Sequence, residues 1–553
     1  MDRQIILQIE SSLSKALSSI LDQEVKAIVL PCKDNSICDL FSPSCMQLSK
    51  KAGVPPYDLA QRAVEALDKD DALKQLVSRI EAKSGFVNFF ISSDMDEVFL
   101  SNILSAGAGF LKGFLPKEKR KKILFEFVSA NPTGPLSIAH ARQAAIGDAL
   151  ARILSYGGCE VTTEYYLNDV GFQIRLLGQS LMARVLQETG QEAQIPENGY
   201  QGSYLADIAK NLLRDNPNCL NEFSDDDFAE YAVEKILITI KSQLAKFGVE
   251  FDNWYSQKEM ESIGKVEDAL DILKNKGLLY EKDGALWFKS SQFGDDKDRV
   301  LIKSDGAKTY FTADIAYHRD KFQRGYEYLI NIWGPDHHGY IPRLKAVIEA
   351  LGFNRDSLYV IIAQLVTLFK NNQPLKMSTR AGQYITIGQL MEQVGRDASR
   401  FFLIMRRTNS HLDFDMDLAV KQAPENPVYY VQYAHARACR IIEMAKSAGL
   451  FIESRRRFSA GILSSPEEKS LIHGLRSMEI ALNNCAGDLD PFPLVNYLKG
   501  LAGLFHKFYE KRRVLSEDIA RDVSYARLML VSAVMIALRL GLELLGISAP
   551  ERM

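Results

Sequence analysis

Hydrophobic and polar positions divide the 553-residue chain into three stretches of different rhythm. Over residues 1–115 helical patterns alternate with short strands. Ile6, Leu13, Leu17 and Ile20 recur at near-heptad intervals and mark a helix face, and Gly85–Ser92 (GFVNFFIS) is a strand-like apolar run after a turn. Gly107, Gly109, Gly113 and Pro116 break the pattern ahead of the basic run Lys117–Lys122, which reads as a linker. Residues 116–420 alternate strands with helices. Ile123–Ala130 is an apolar strand, Asn131–Pro135 a turn, and a helix runs through Ile146, Leu150, Ile153 and Leu154 to a Gly157–Gly158 stop. Tyr326–Gly334 and Ser357–Val366 are further strands. This alternation predicts an α/β domain with a doubly wound parallel sheet and helices on both faces. Residues 185–235 are polar and read as a surface insertion. In residues 421–553 the strand signals stop. Asn426–Ala445, Pro466–Ala486, Pro491–Glu510 and Asp518–Gly546 predict an all-α bundle. The organisation is multi-domain: a small α/β N-terminal domain, a Rossmann-like α/β domain and a helical C-terminal domain.

Charge and cysteine usage narrow the classes. Lys+Arg at 67 against Asp+Glu at 70 gives a net charge of −3, so no global positive field exists and a polyanion must be held by local patches. A 46% hydrophobic share excludes disorder as the main state. Seven cysteines without a CxxC pair suggest neither a disulfide framework nor a structural zinc, as expected of a cytoplasmic chain. The N-terminus carries Asp2 and Glu10 and no apolar leader. The apolar run Leu528–Leu538 is 11 residues long, against the about 20 that a bilayer requires, and is expected to be a buried helix rather than a membrane anchor.

Two segments could handle phosphate. The turn NPTGPLSIAHAR joins a strand to a helix, where unpaired N–H groups and the helix dipole favour an anion, and His140 lies one turn beyond Ser137. It is neither a P-loop nor a GxGxxG fingerprint. Lys376–Gly382 (KMSTRAG) offers a lysine in a Gly-, Ser- and Thr-containing loop. Asp336, His337 and His338 follow an apolar strand, where ligand crevices open in α/β sheets. Tyr310 and Asp314 are spaced i, i+4 and would share a helix face, a carboxylate beside an aromatic ring.

Taken together, FEFVSANPTGPLSIAHAR, EYYLNDVGFQI (Glu164–Ile174), TYFTADIAYHRDKF (Thr309–Phe322), WGPDHHGYIPR (Trp333–Arg343), KMSTRAG and GISAPERM (Gly546–Met553) resemble bacterial arginyl-tRNA synthetase, a class I aminoacyl-tRNA synthetase, over essentially the whole chain. The resemblance implies an arginine–tRNA ligase with L-arginine, ATP with Mg²⁺ and tRNA(Arg) as partners, acting as a monomer, with adenylate formation dependent on bound tRNA. It implies ATP contacts from Ala130, Asn131, Pro132, Thr133, Gly134, Pro135, Leu136, Ser137, Ile138, Ala139 and His140, from Gly334, Asp336 and His337, and from Lys376, Met377 and Ser378. His140, Ser137 and Lys376 would be catalytic. Tyr310 and Asp314 would hold the arginine side chain, and Asn131 the substrate's ammonium or carboxylate.

The chain departs from the family pattern at several positions. Ser137 and Ala139 replace the His and Gly of the HIGH signature. Thr379 replaces a lysine of KMSKS, with Arg380 as a candidate substitute. Gln257 stands where an arginine-binding Glu is expected, with Glu259 two residues on. These departures motivate a rival reading as a non-catalytic tRNA-binding paralogue; a synthetase for another amino acid is a nearer rival. For tRNA, Asp397–Arg400 (DASR) resembles the DALR signature. Asn426–Arg437, Arg455–Arg457 and His506–Arg513 are basic–aromatic stretches of an anticodon-binding domain. Asn88 and Phe89 mark the N-terminal domain that meets the tRNA elbow.

Overall fold

A computed structural model describes residues 2–32, 37–375, 384–451 and 460–553. Helix Asp2–Leu21 buries Ile5, Ile9, Leu13 and Leu17. That i, i+4 stripe is shifted from the near-heptad set, and Ile6 and Ile20 form its half-buried margin. It packs on helix Pro56–Leu67 within a small separate core. Strand Phe86–Ile91 is the inner strand of an antiparallel sheet, between Leu40–Ser42 and Val77–Lys83. Asn88 and Phe89 are buried in it, so they hold the sheet together rather than offering a surface.

Helix Ser93–Ala106 leaves this body. Phe99, Leu100 and Ile103 join the main core beside helix Arg521–Leu544, and Asp96 pairs with Lys469 and Arg476 at 2.9 and 3.0 Å. The stretch read as a linker is packed chain: Phe110, Phe114 and Leu115 are buried, and Arg120 donates to the carbonyls of Leu115 and Gly113.

Five parallel strands carry the central domain, in the order Leu358–Ile362, Tyr328–Trp333, Lys122–Glu126, Glu160–Leu167, Asn253–Ser256. Alternation sends Leu124, Leu329 and Leu358 to one face, against Leu344 and Ile348 of helix Ile341–Leu351. Ile123, Phe125 and Ile330 face the other way, into the core shared with helix Ile138–Tyr156. The sheet is doubly wound. The chain runs outward from Lys122–Glu126 on one side and returns on the other, so a crevice opens at the carboxyl end of that strand.

Helix Ile138–Tyr156 approaches the sheet closely through Gly147, where an added Cβ would lie 2.3 Å from the Phe127 ring. Gly147→Ala should therefore destabilise the protein by about 1–3 kcal/mol, visible as a lower denaturation midpoint.

Two expectations change. The run Ser357–Val366 is not one strand: Leu358–Ile362 ends, and Val366–Lys370 starts a separate sheet with Gln373–Pro374 and Leu412–Asp415. Residues 185–235 are not a loose surface insertion. Helices Ser203–Asp215 and Asp225–Phe247 bury Leu205, Ala209, Leu212, Phe228 and Ala232 in the main core. Polar residues on their outer faces mask that amphipathicity.

Helices Pro427–Ser447, Pro466–Asp488, Phe492–Lys511 and Arg521–Leu544 form the C-terminal bundle. Arg521–Leu544 is the one helix among the described residues long and apolar enough to cross a membrane, and its apolar stretch is mostly buried inside the bundle. Arg400 of DASR is fully buried at the junction. It donates to the carbonyls of Leu545 and Phe247 and pairs with Asp148. Cys38, Cys45, Cys159, Cys219, Cys439 and Cys485 are free thiols.

Candidate active site

The crevice begins where strand Lys122–Glu126 ends. Val128 and Ser129 take φ of +69° and +37°, a strained exit for a β-branched residue. The kink is fastened by the Ser129 hydroxyl, which accepts the Tyr166 N–H at 3.1 Å, and by the Ala130 carbonyl, which accepts the Tyr165 hydroxyl at 2.8 Å. Asn131 donates its amide to Gln173 at 2.6 Å. The turn then folds back, Thr133 N–H donating to the Asn131 carbonyl at 2.7 Å, and reaches the helix N-cap at Ser137.

His140 occupies the third helical position, and its ring reaches back to the N-cap. The Ser137 N–H donates to His140 Nδ1 at 3.2 Å, with the Ser137 hydroxyl at 3.3 Å. Burial pushes the imidazole pKa down to about 4, so the ring is neutral at pH 7. A neutral ring whose Nδ1 accepts a backbone N–H carries its proton on Nε2. His140 is thereby a fixed Nε2–H donor at a helix start. Ser137, where the family pattern has His, serves as the N-cap that turns the ring.

A cavity of about 800 Å³ opens over this turn, lined by Ala130, Asn131, Thr133, Gly134, Pro135, Ser137 and His140. Its far wall is what sequence reasoning missed: Phe172 and Gln173, the Asn198–Gly202 loop, Tyr204 and Tyr384. The polar stretch 185–235 thus supplies part of the site. Tyr204 donates to the Thr133 carbonyl at 2.5 Å, and its hydroxyl would sit 3.2 Å from a Cβ at Gly134, so glycine permits the contact. Tyr384 donates to the Pro135 carbonyl at 3.0 Å, and Ile387 N–H to the Leu136 carbonyl at 2.9 Å. Tyr204→Phe removes one hydrogen bond worth about 0.5–1.5 kcal/mol and should lower the denaturation midpoint accordingly.

The second half of the site lies under helix Tyr310–Gln323. Asp314 accepts the Tyr340 hydroxyl at 2.5 Å. Burial pushes its carboxyl up to about 6, against the opposing pull of that hydrogen bond. Below it Tyr166, Tyr255 and Tyr317 pack ring on ring, with Tyr166 and Tyr317 at 4.4 Å. Glu126 pairs with the fully buried Lys321 at 2.5 Å. Glu164 is gripped by Arg324 at 2.6 and 3.0 Å and by the Tyr317 hydroxyl at 2.6 Å. A glutamate inside an apolar strand, Glu126, was a readable signal of a paired buried charge.

Gln257 is buried, accepts the Tyr166 hydroxyl at 2.9 Å and donates to Glu261 at 2.7 Å. Glu259 points to solvent. Tyr310 is 61% exposed, at the start of the helix that carries Asp314. Pro132, Leu136 and Ile138 are buried as supports of the turn, with Ala139 half-buried beside them. Gly334, Asp336 and His337 stand at the same carboxyl edge after strand Tyr328–Trp333. Asp336 and His337 are exposed, and none of the three lines the cavity. Lys376, Met377, Ser378, Thr379 and Arg380 lie outside the described residues. Their flanks are fastened beside the cavity, Leu375 to Leu368 and Tyr384 to Pro135.

On the bundle, Tyr429 and Tyr433 stack at 5.8 Å, and the Arg437 guanidinium lies 4.5 Å from the Tyr433 ring and 4.4 Å from Tyr509. Such a cation–aromatic shelf suits unstacked bases. Arg455–Arg457 lie outside the described residues.

Residues 7–91 match the family model described as arginyl tRNA synthetase N terminal domain, 100–433 that of tRNA synthetases class I (R), catalytic domain, and 431–553 the DALR anticodon binding domain. Arginine–tRNA ligase 1 of Halalkalibacterium halodurans is 44% identical over 98% of this chain and 97% of its own length. Arginine–tRNA ligase of Desulforamulus reducens is 40% identical over 99% and 100%. In fold, the chain superposes on Thermus thermophilus arginyl-tRNA synthetase with a TM-score of 0.75, at 22% identity, covering 99% and 100%. The chain belongs to the arginyl-tRNA synthetases, the class I enzymes that activate arginine with ATP and charge it onto tRNA.

Proposed function

We propose that the two halves of the crevice divide the substrates between them. The turn Ala130–Pro135 and the helix start through His140 take ATP, and Tyr310, Asp314 and Gln257 take the arginine side chain. Asn131 stands between them, at the substrate's backbone groups. In the first step the arginine carboxylate attacks the α-phosphorus of ATP and the bond to pyrophosphate breaks. In the second the terminal ribose of tRNA takes the arginyl group and AMP leaves. Positioning and stabilisation of charge on phosphate oxygens supply most of the catalysis.

His140 Nε2–H and the open N–H groups of the helix start are the donors on hand, and Lys376, outside the described residues, is the further phosphate contact that the family pattern implies. Mg²⁺ enters with ATP as part of that substrate; among the described residues no three His, Cys, Asp or Glu side chains converge to hold a metal. Asp336 and His337 act from the exposed edge. The N-terminal domain and the Tyr433–Arg437 shelf take tRNA, and the enzyme works as a cytoplasmic monomer.

One observation carries this reading: an anion-ready helix start follows strand Lys122–Glu126, and helix Tyr310–Gln323, tied to that strand by the Lys321–Glu126 pair, carries in Asp314 a carboxylate with no ion pair among the described residues. A crystal grown with arginine and a non-hydrolysable ATP analogue tests it. The guanidinium is expected at Asp314 and the triphosphate over Ser137–His140; arginine bound elsewhere overturns the reading.

A further inference from the structure

The carboxylates around the tyrosine cluster do not share one fate. Glu126 is neutralised by Lys321, Glu164 by Arg324, and Asp320 by Lys265 and Arg324 at 2.5 and 3.0 Å. Asp169 spends both oxygens on the start of helix Gln257–Ser262, accepting the Ser256 hydroxyl at 2.6 Å and the Lys258 N–H at 2.9 Å. Two carboxylates differ. Asp314 takes one neutral donor, the Tyr340 hydroxyl, and Glu261 takes one neutral donor, the Gln257 amide. Among the described residues neither forms an ion pair; of the two cations whose charge reaches Asp314, Lys321 pairs with Glu126 and Arg343 with Asp295 at 3.9 Å.

Both also act on one group. Asp314 and Glu261 approach Tyr166 from two different helices, and their charges add to burial in holding its phenol protonated. Tyr166 in turn donates to Gln257, the residue that holds Glu261 one helical turn further on. The tyrosine cluster is therefore flanked by two carboxylates that form no ion pair among the described residues. A guanidinium presents five N–H donors in a planar fork, more than one carboxylate can accept.

We infer that Glu261, oriented by Gln257, is a second carboxylate for the arginine side chain, gripping the guanidinium from the side opposite Asp314. This rests on the assignment of Asp314 to the guanidinium. In it the neutral amide at position 257 acts as an arm, moving the acidic group one turn along the helix.

Pyrophosphate exchange on the full chain with tRNA present, with separate arginine and ATP titrations, tests the inference. Glu261→Gln should raise the arginine KM on the order of 10–100-fold, the worth of a charge-assisted hydrogen bond, and leave the ATP KM within about twofold. The swap Gln257→Glu with Glu261→Gln, which returns the carboxylate to position 257, should recover most of that loss. An arginine KM within about twofold of wild type in Glu261→Gln, while Asp314→Asn raises it more than about tenfold, overturns the inference and leaves the Asp314 assignment standing. If neither substitution moves it, the assignment itself fails and the inference with it. A parallel rise in both KM values marks a structural role and also overturns it. Should Glu261→Gln fold poorly, Glu261→Asp decides: an arginine-only rise of about threefold or more supports the grip, and an unchanged value overturns it.

Discussion

Asp314→Ala is expected to raise the arginine KM on the order of 10²–10³-fold while the ATP KM stays within about twofold. The asymmetry follows from placement. Asp314 lies on helix Tyr310–Gln323 beside Tyr340 and is not among the residues that line the cavity over the turn. Removing one partner of a desolvated charge pair costs about 3–5 kcal/mol, because the other charge is left buried and unmatched. Equal rises in both constants would refute a guanidinium role.

The pH dependence sharpens this test. The carboxyl pKa stands at about 6 in the ligand-free protein, raised by burial, and only the carboxylate attracts a guanidinium. The arginine KM should therefore climb as pH falls through about 6, with the ATP KM flat, and Asp314→Asn should abolish that limb. The stability effect has the opposite sense. A carboxyl raised above its unfolded value costs stability when ionised, and that cost is relieved as pH falls through the folded pKa. Asp314→Asn should accordingly stabilise the ligand-free protein at pH 7.5 by up to about 2–3 kcal/mol, with the gain gone below about pH 4.

His140→Ala should lower the rate of adenylate formation on the order of 10²–10³-fold and leave arginine affinity nearly unchanged. The imidazole is neutral, and its Nδ1 is committed to the Ser137 N–H, so Nε2–H is a pre-aimed donor. Losing one such donor to developing negative charge costs about 2.7–4 kcal/mol. The substitution also removes the ring that satisfies the N-cap amide, and about 1 kcal/mol of helix stability goes with it. Pre-steady-state quench of the first turnover separates the two: the chemical step should slow far more than the denaturation midpoint falls. A single-turnover rate within tenfold of wild type would remove His140 from the catalytic set.

Much of this was legible because local and global signals coincide. The C-terminal helices lie close to where the 3.6-residue period and the Pro and Gly stops put them, since each buries one continuous apolar stripe. The strand–turn–helix at 122–156 was readable for the same reason. What the sequence concealed depends on long-range packing. Tyr204 reaches Thr133 across 71 positions, and no local pattern marks a tyrosine as the wall of a distant turn. The 185–235 stretch read as a surface insertion because its helices bury narrow stripes of Leu, Ala and Phe under a polar majority. Glu261 sat unnoticed behind Glu259, since only the helix register shows which of them shares a face with Gln257. The departures at Ser137 and Ala139, which had suggested a non-catalytic paralogue, look different once Ser137 is seen capping the helix and turning His140.

The balance of charge takes on a more definite meaning too. A net of −3 averages the carboxylates around the Tyr166 cluster with basic–aromatic shelves such as Tyr433–Arg437–Tyr509. Under the proposed division of substrates, each is met by its own local field.

The most direct test of the whole account is ATP–pyrophosphate exchange measured amino acid by amino acid with tRNA present. The account predicts exchange with arginine and with no other amino acid. Exchange driven by a different amino acid, or none from a protein that still binds tRNA, would contradict it.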